Sequence, residues 1–188
     1  AVRQVFPARA AEVTVSIPGG EELAKRTFNP RMGVVGGLSV LGTTGVVRPM
    51  SEEALKETIR LELSVRKSQG AEEIGLVFGS QGERAANALF PCMQAVQMSN
   101  FVGFALDCAA ELGFARATLL GQPGKLVKVS GGSMQTHSQY GDGRRETLTA
   151  HLALMGAPLS LLELVHQSVT LDGCIAPIHE TGFDAVWA

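Results

Sequence analysis

Between residues 73 and 129 the chain repeats one local pattern, and that repetition limits the folds open to it more than any other feature. Residues 73–78 (EIGLVF) are a nearly continuous apolar run of strand length, the kind found where a parallel strand is buried on both faces. The turn GSQG follows, then a helix-length segment over 83–89. Residues 95–98 make a second short strand, either Ser99 or Asn100 caps a helix over 101–112, and Gly113 closes it. Residues 117–120 make a third strand, followed by GQPGK and a further piece at 126–129. Strands alternating with helices of this length predict an α/β, Rossmann-like architecture, a mostly parallel sheet with helices on both faces.

The flanking regions read differently. Residues 1–10 show no period and are expected to form an arm. Over 12–17 (EVTVSI) Val13, Val15 and Ile17 alternate with polar residues, the pattern of a half-buried strand, and Pro18, Gly19 and Gly20 stop it. Over 29–49 short β-branched pieces alternate with glycines; very short strands fit there and a helix does not, since each interior glycine costs a helix about 1 kcal/mol. Ser51 is the expected cap of a helix running to about Ser68, with Glu52 and Glu53 complementing its dipole. Leu55, Ile59, Leu63 and Arg66 trace its stripe, and Gly70 ends it. Helices are expected over 144–154 and 159–166 with Gly156 between them, and an irregular tail after them. The domain reading is an arm and strand over 1–28, left from an interdomain region, and a Rossmann-like domain over 29–188.

Composition removes several function classes. The chain has 188 residues, enough to bury roughly 70% of its unfolded surface without a disulfide or metal staple. Sixteen basic residues against 18 acidic ones give a net charge of −2, which supplies no field for nucleic acid or membrane. Aromatic residues at 5% are too few for a base-stacking surface. Cys92, Cys108 and Cys174 form no CxxC pair, which suits a reducing compartment. With no apolar run of spanning length and no signal-like segment, a cytoplasmic location is expected.

The surplus lies in glycine: 22 residues, well above the usual share of about 7%. They gather in loops where chemistry is plausible. Gly79, Ser80 and Gly82 lie between a strand end and a helix start, where backbone N–H groups face a ligand, although the full GxGxxG fingerprint is missing and a plain turn is the competing reading. Gly36, Gly37, Gly42, Thr43 and Thr44 form a second loop with hydroxyl and backbone donors. The third runs over 121–145 and gathers Lys125, Lys128, His137, Ser138, Asp142, Arg144 and Arg145; convergent cations suit a carboxylate-bearing ligand, and a solvated loop is the alternative. His151 and His166 fall on helices, His179 lacks a second histidine at ligand spacing, and no GxSxG elbow is present. No protein-bound metal is expected.

Three long motifs carry a resemblance: VTVSIPGGEELAKRTFNPR, then NPRMGVVGGLSVLGTTGVVRPMSEEAL, then GKLVKVSGGSMQTHSQYGDGRRE. In this order they resemble the CbiD family, the cobalt-precorrin-5B C(1)-methyltransferases of anaerobic cobalamin biosynthesis, over about residues 12–155. GLVFGSQG and SNFVGFALDCAAELGF look like the segments between them. Members of that family are about twice this length and start with a GYTTG-type motif in a separate N-terminal domain, so this chain looks like the C-terminal half. The resemblance implies methyl transfer from S-adenosylmethionine to carbon 1 of a cobalt corrinoid, with the cobalt belonging to the substrate. On that reading the two glycine loops are expected to bind the cofactor, Lys125, Lys128, Ser138, Arg144 and Arg145 the substrate, and His137 or Asp142 to aid proton transfer or anchor the loop. The N-terminal half of the same protein is an expected partner, and a homo-oligomer is possible. The alternative is a non-catalytic binding or docking module that needs the other domain.

Overall fold

The computed structural model describes residues 4, 12, 14–27, 29–39 and 51–188. Two compact units divide at residues 47 and 48, so the sequence-derived boundary at 28 and 29 falls inside the first. Gly42, Thr43 and Thr44 lie outside the described residues.

In the first unit a short helix α1 (Gly20–Ala24) follows a turn whose Gly19 has φ 72°, and Asn29–Met32 makes one 3-10 turn. The expected strand over 12–17 does not appear: its described residues carry no strand pairing, and Val15 is 76% exposed. Alternation alone makes a strand only where another strand satisfies its backbone, and none does so among the described residues.

The second unit opens with α2 (Glu52–Ser68), whose Ser51 side chain accepts from the Ala54 N–H at 3.2 Å. Ile59 and Leu63 are buried, as their spacing predicts. Gly70, at φ 88°, closes it. Then come β1 (Glu73–Val77), α3 (Ser80–Leu89), β2 (Ala95–Gln97), α4 (Val102–Glu111) and β3 (Arg116–Leu120). The sheet is parallel with order β2-β1-β3. Gly75 lies opposite Ala95 on one edge and Thr118 on the other.

The pleat sends alternate side chains to opposite faces. Ile74 and Leu76 join Val96 and Met98 in a cluster with Ile59 and Leu63 of α2 and Val102, Ala105 and Cys108 of α4. Val77 and Ala95 face the other way, onto Ala86 of α3. The sheet is therefore covered on both faces, as an α/β, Rossmann-like chain requires.

After the sheet the chain becomes helical: α5 (Pro123–Ser130), α6 (Arg144–Leu154), α7 (Leu159–Gln167) and α8 (Asp172–Glu180). A separate core of Val127, Leu148, Leu152, Leu161, Val165, Cys174 and Ile178 joins them. One reading is completed here and one is corrected. The further piece at 126–129 is helical, because Pro123 at the first turn pre-sets a helix start that the two β-branched valines of LVKV conceal. The tail is not irregular: residues 172–180 fold to seat Cys174 and Ile178 in this core, despite Pro177, and Asp184–Trp187 adds a 3-10 turn. Among the described residues no helix is long and apolar enough to cross a membrane.

Leu76 is fully buried in the central strand, so Leu76→Ala should lower unfolding free energy by about 2–5 kcal/mol, whereas Leu154→Ala, at a site 85% exposed, should stay within about 0.5 kcal/mol. Urea titrations of both variants check this.

Candidate active site

All three strands point the same way, so their carboxyl ends and the loops that leave them share one edge. The order β2-β1-β3 makes the chain wind one way from β1 and then cross to its other side, and doubly wound sheets bind ligands at such a reversal. The loops after β1 and β3 part there. They leave a cavity of about 310 Å³ lined by Phe78, Gly79, Ser80, Gln81, Gly82, Gly121, Gln122 and Lys125.

Glycine leaves this wall open at one point and lets it pack closely at two others. Gly79 caps α3 without any side-chain hydrogen bond, which leaves first-turn N–H groups of the helix open to a ligand. A Cβ on Gly82 would come within 3.2 Å of Val77 Cβ. One on Gly121 would lie 2.3 Å from Phe78 Cδ2, so the ring can cover this turn only because no side chain is there. Across the cavity, the Gln122 amide donates to Gln81 Oε1 at 3.2 Å.

A second cavity, about 390 Å³, shares Gln122 and Lys125 with the first. Its wall includes Lys125, Lys128, His137, Ser138 and Arg144. Of the residues gathered in the third loop of the sequence, Asp142 and Arg145 are exposed and do not line this cavity. Gly36 and Gly37 belong to the first unit, where they line a different cavity with Val15, Ile17, Glu21 and Glu22.

The cations are held in specific ways. Lys128 is only 6% exposed and donates to the carbonyls of Gly141 at 3.1 Å and Thr136 at 3.4 Å. Lys125 donates to Asn100 Oδ1 at 2.7 Å and to the Thr136 carbonyl at 3.1 Å. Burial pulls its pKa down, and the positive charges of Lys128 and Arg144 pull it further. Arg144 donates through Nε to Asp142 Oδ1 at 2.6 Å. That bond, above all, holds the Asp142 pKa at about 2 against a usual 3.8. A carboxyl so acidic is a weak base, and Asp142 also accepts from the Arg144 N–H at 3.3 Å, bracing the start of α6. His137 Nδ1 accepts from the Gln139 N–H at 3.2 Å, which places the ring proton of a neutral imidazole on Nε2. Ser138 begins the short 3-10 turn that this bond caps.

Sequence reasoning missed Asn100, Gln122 and Thr136. Asn100 is one of the two expected caps of α4, with Ser99, yet that helix has no side-chain cap and the Asn100 side chain turns to Lys125 instead. Thr136 is fully buried and gave no signal beyond its place beside His137.

Comparison with known proteins now bears on this site. A family model described as CbiD matches residues 1–49, and the model of the CbiD C-terminal domain matches residues 135–188. The chain is 44% identical over 190 residues to the cobalt-precorrin-5B C(1)-methyltransferase of Salmonella typhimurium, covering 100% of this chain and 50% of that protein. The chain belongs to the CbiD family. The Citrobacter koseri protein of the same name is 44% identical over 185 residues, 97% of this chain and 49% of its own length. This chain therefore spans about half the length of the curated CbiD relatives it matches. A crystal structure of the cobalamin biosynthesis protein cbiD from Archaeoglobus fulgidus aligns with 76% of this chain and 42% of its own, at 25% identity and a TM-score of 0.34.

Two outcomes follow from the geometry. Gly121→Ala should displace the Phe78 ring into the cavity it lines and cost about 1–3 kcal/mol of stability, measurable by thermal or urea unfolding. Asp142 titrates lower folded than unfolded, so its contribution to stability is present above pH 3.8 and is lost as pH falls toward about 2. The side chain is 41% exposed, so the effect is small and weakens with salt. Urea midpoints of the wild type and Asp142→Asn should differ at pH 5 to 6 and converge near pH 2; a gap independent of pH would contradict this origin.

Proposed function

We propose that this chain carries the ligand-binding half of an S-adenosylmethionine-dependent methyltransferase that methylates carbon 1 of cobalt-precorrin-5B to give cobalt-precorrin-6A. The observation that carries the reading is 44% identity, along the whole chain, to relatives named for that reaction. We assign the glycine-lined cavity to the methyl donor. The uncapped first turn of α3 at Gly79, Ser80 and Gly82 fits a carboxylate or ribose hydroxyl of such a ligand, since both accept from N–H groups. Gly36, Gly37, Gly42, Thr43 and Thr44 are assigned to the same ligand on the family resemblance.

When bound, S-adenosylmethionine supplies a methyl group on a sulfonium, which needs no protein nucleophile to activate it. The residues of this chain then have to bind, align and exclude water. Lys125, Lys128, Ser138 and Arg144 line the neighbouring cavity and are assigned, with Arg145, to carboxylate side chains of the corrinoid substrate. Arg144 suits a planar carboxylate and is braced by Asp142. We assign Asp142 to that bracing in preference to proton abstraction, because an acid with a pKa of about 2 takes protons poorly near neutrality. His137 presents an Nε2–H donor and is assigned to substrate contact or loop anchoring. The cytoplasm and pairing with the remaining half of the relatives' length complete the proposal.

A methyl-transfer assay with cobalt-precorrin-5B, run on this chain alone and on a version extended to the relatives' full length, tests it. Transfer is expected from the extended protein; none from either sinks the reading. Transfer confined to the extended form, with S-adenosylmethionine binding to this chain absent by calorimetry, would favour a docking module that leaves the site to the other half. In the active form, Lys125→Ala should raise the KM for the corrinoid about tenfold or more, the loss expected for a hydrogen bond to a charged group. Unchanged turnover in His137→Ala would remove that histidine from proton transfer.

A further inference from the structure

Asn100 lies three residues past the end of β2 and lines the cation-lined cavity. Its Oδ1 accepts from Lys125 Nζ at 2.7 Å and from Thr136 Oγ1 at 3.1 Å, while its backbone carbonyl accepts from the Thr136 N–H at 3.1 Å. An ammonium has protons to give and nothing to accept with. The amide oxygen must therefore face Lys125, and the NH2 end is turned away from it. Ser99, just before it, has φ 53°, the one positive φ at a non-glycine residue among those described. Backbone held in that sparsely populated region is a mark of functional sites, and here it sets the angle at which the chain delivers Asn100.

Lys125 belongs to the wall common to both cavities. The charged groups around it are Lys128 on its own helix, Arg144 and Asp142 at the start of α6, and Asp172 at the start of α8, with His137 from the intervening loop. Its described hydrogen bonds run only to neutral oxygens, on Asn100 and Thr136.

We propose that Asn100 is a positioning residue: it holds the Lys125 ammonium at the shared wall, where that ammonium meets a carboxylate of the substrate. This rests on assigning substrate carboxylates to the cation-lined cavity, not on methyl transfer as such. Among the described residues Lys125 lies beside Lys128 and Arg144 and donates to no carboxylate, and the depressed pKa that burial, Lys128 and Arg144 give it is relieved when an anion arrives.

The test follows the 13Cε resonance of Lys125 against pH in the full chain, assigned with Lys125→Arg, alongside calorimetry with citrate as a soluble polycarboxylate. Asn100→Ala removes the acceptor. The Lys125 midpoint should move down and citrate affinity fall about tenfold. Asn100→Asp keeps the size and the acceptor but adds charge. The midpoint should move up, and citrate should still bind more weakly. Opposite midpoint shifts with weakened binding in both variants support the proposal. A residue of merely structural importance would lower the melting temperature and leave the midpoint in place; an unmoved midpoint in the isosteric Asn100→Asp variant overturns it. Wild-type chain that does not bind citrate overturns the carboxylate assignment. Because neither readout requires turnover, failure of the methyl-transfer assay remains a separate result.

Discussion

Strand β1 is paired along both edges, to β2 and β3, and covered on both faces, and most of the second unit follows from that single constraint. Past Glu73, which is exposed at its start, a strand so enclosed has no wet side, so its side chains must be apolar or absent: Ile74, Leu76 and Val77 are fully buried, and at Gly75 a Cβ would meet Met93 Cε at 2.8 Å. Parallel neighbours need crossovers, and the crossovers supply the covering helices. The same geometry then decides where a ligand can go. Every strand releases its loop on one edge of the sheet, and only there do backbone groups of several segments face a common space.

On that edge the governing problem becomes electrostatic. Lys125 and Lys128 are three residues apart, on one side of α5, and Lys128 is nearly removed from water. A buried ammonium is tolerated where oxygens replace its hydration. The carbonyls of Thr136 and Gly141 do so, which ties the segment after α5 back over the helix. Gly141 at φ 122° lets the backbone turn to present its oxygen. The loop conformation and the positive wall of the cavity are thus two consequences of the same pair of lysines, and Asp142 enters by holding Arg144 at the edge of that wall.

How far the sequence reveals this depends on whether a signal is local. Helix α2 is legible from Ser51, its stripe of Ile59 and Leu63, and Gly70, since each acts within a turn or two of itself. The expected ends at Gly113 and Gly156 are legible for the same reason, both having positive φ. Helix α8 is hidden by Gly173 and Pro177, because what stabilises it is the distant packing of Cys174 and Ile178. The strand expected at 12–17 shows the converse: its alternation is local and correct in period, while the pairing it requires is not encoded there. At the site, the cations of the third loop stand out by density. Asn100 does not, because its local context spells a helix cap while its hydrogen bonds reach Lys125, on a different helix.

The two cavities meet at Gln122 and Lys125, and the proposed assignment of ligands gives that meeting a physical sense. With a donor against the glycine-lined loops and a carboxylate-rich acceptor against the cations, the groups that must approach one another do so across a wall built from α5 and its entry turn. Neither residue is a nucleophile suited to forming a covalent intermediate, since Gln122 cannot ionise and Lys125 is held by three hydrogen-bond contacts. What they can do is fix a distance. A reaction whose donor already carries its leaving group gains chiefly from such fixing, because alignment removes the entropy of bringing two molecules together. Rigid elements achieve this better than loops, and here the wall stands on a helix that begins at Pro123 and is anchored through Val127 to the helical core. The division of the second unit into a sheet and a helical bundle therefore places the joint between them at the site itself.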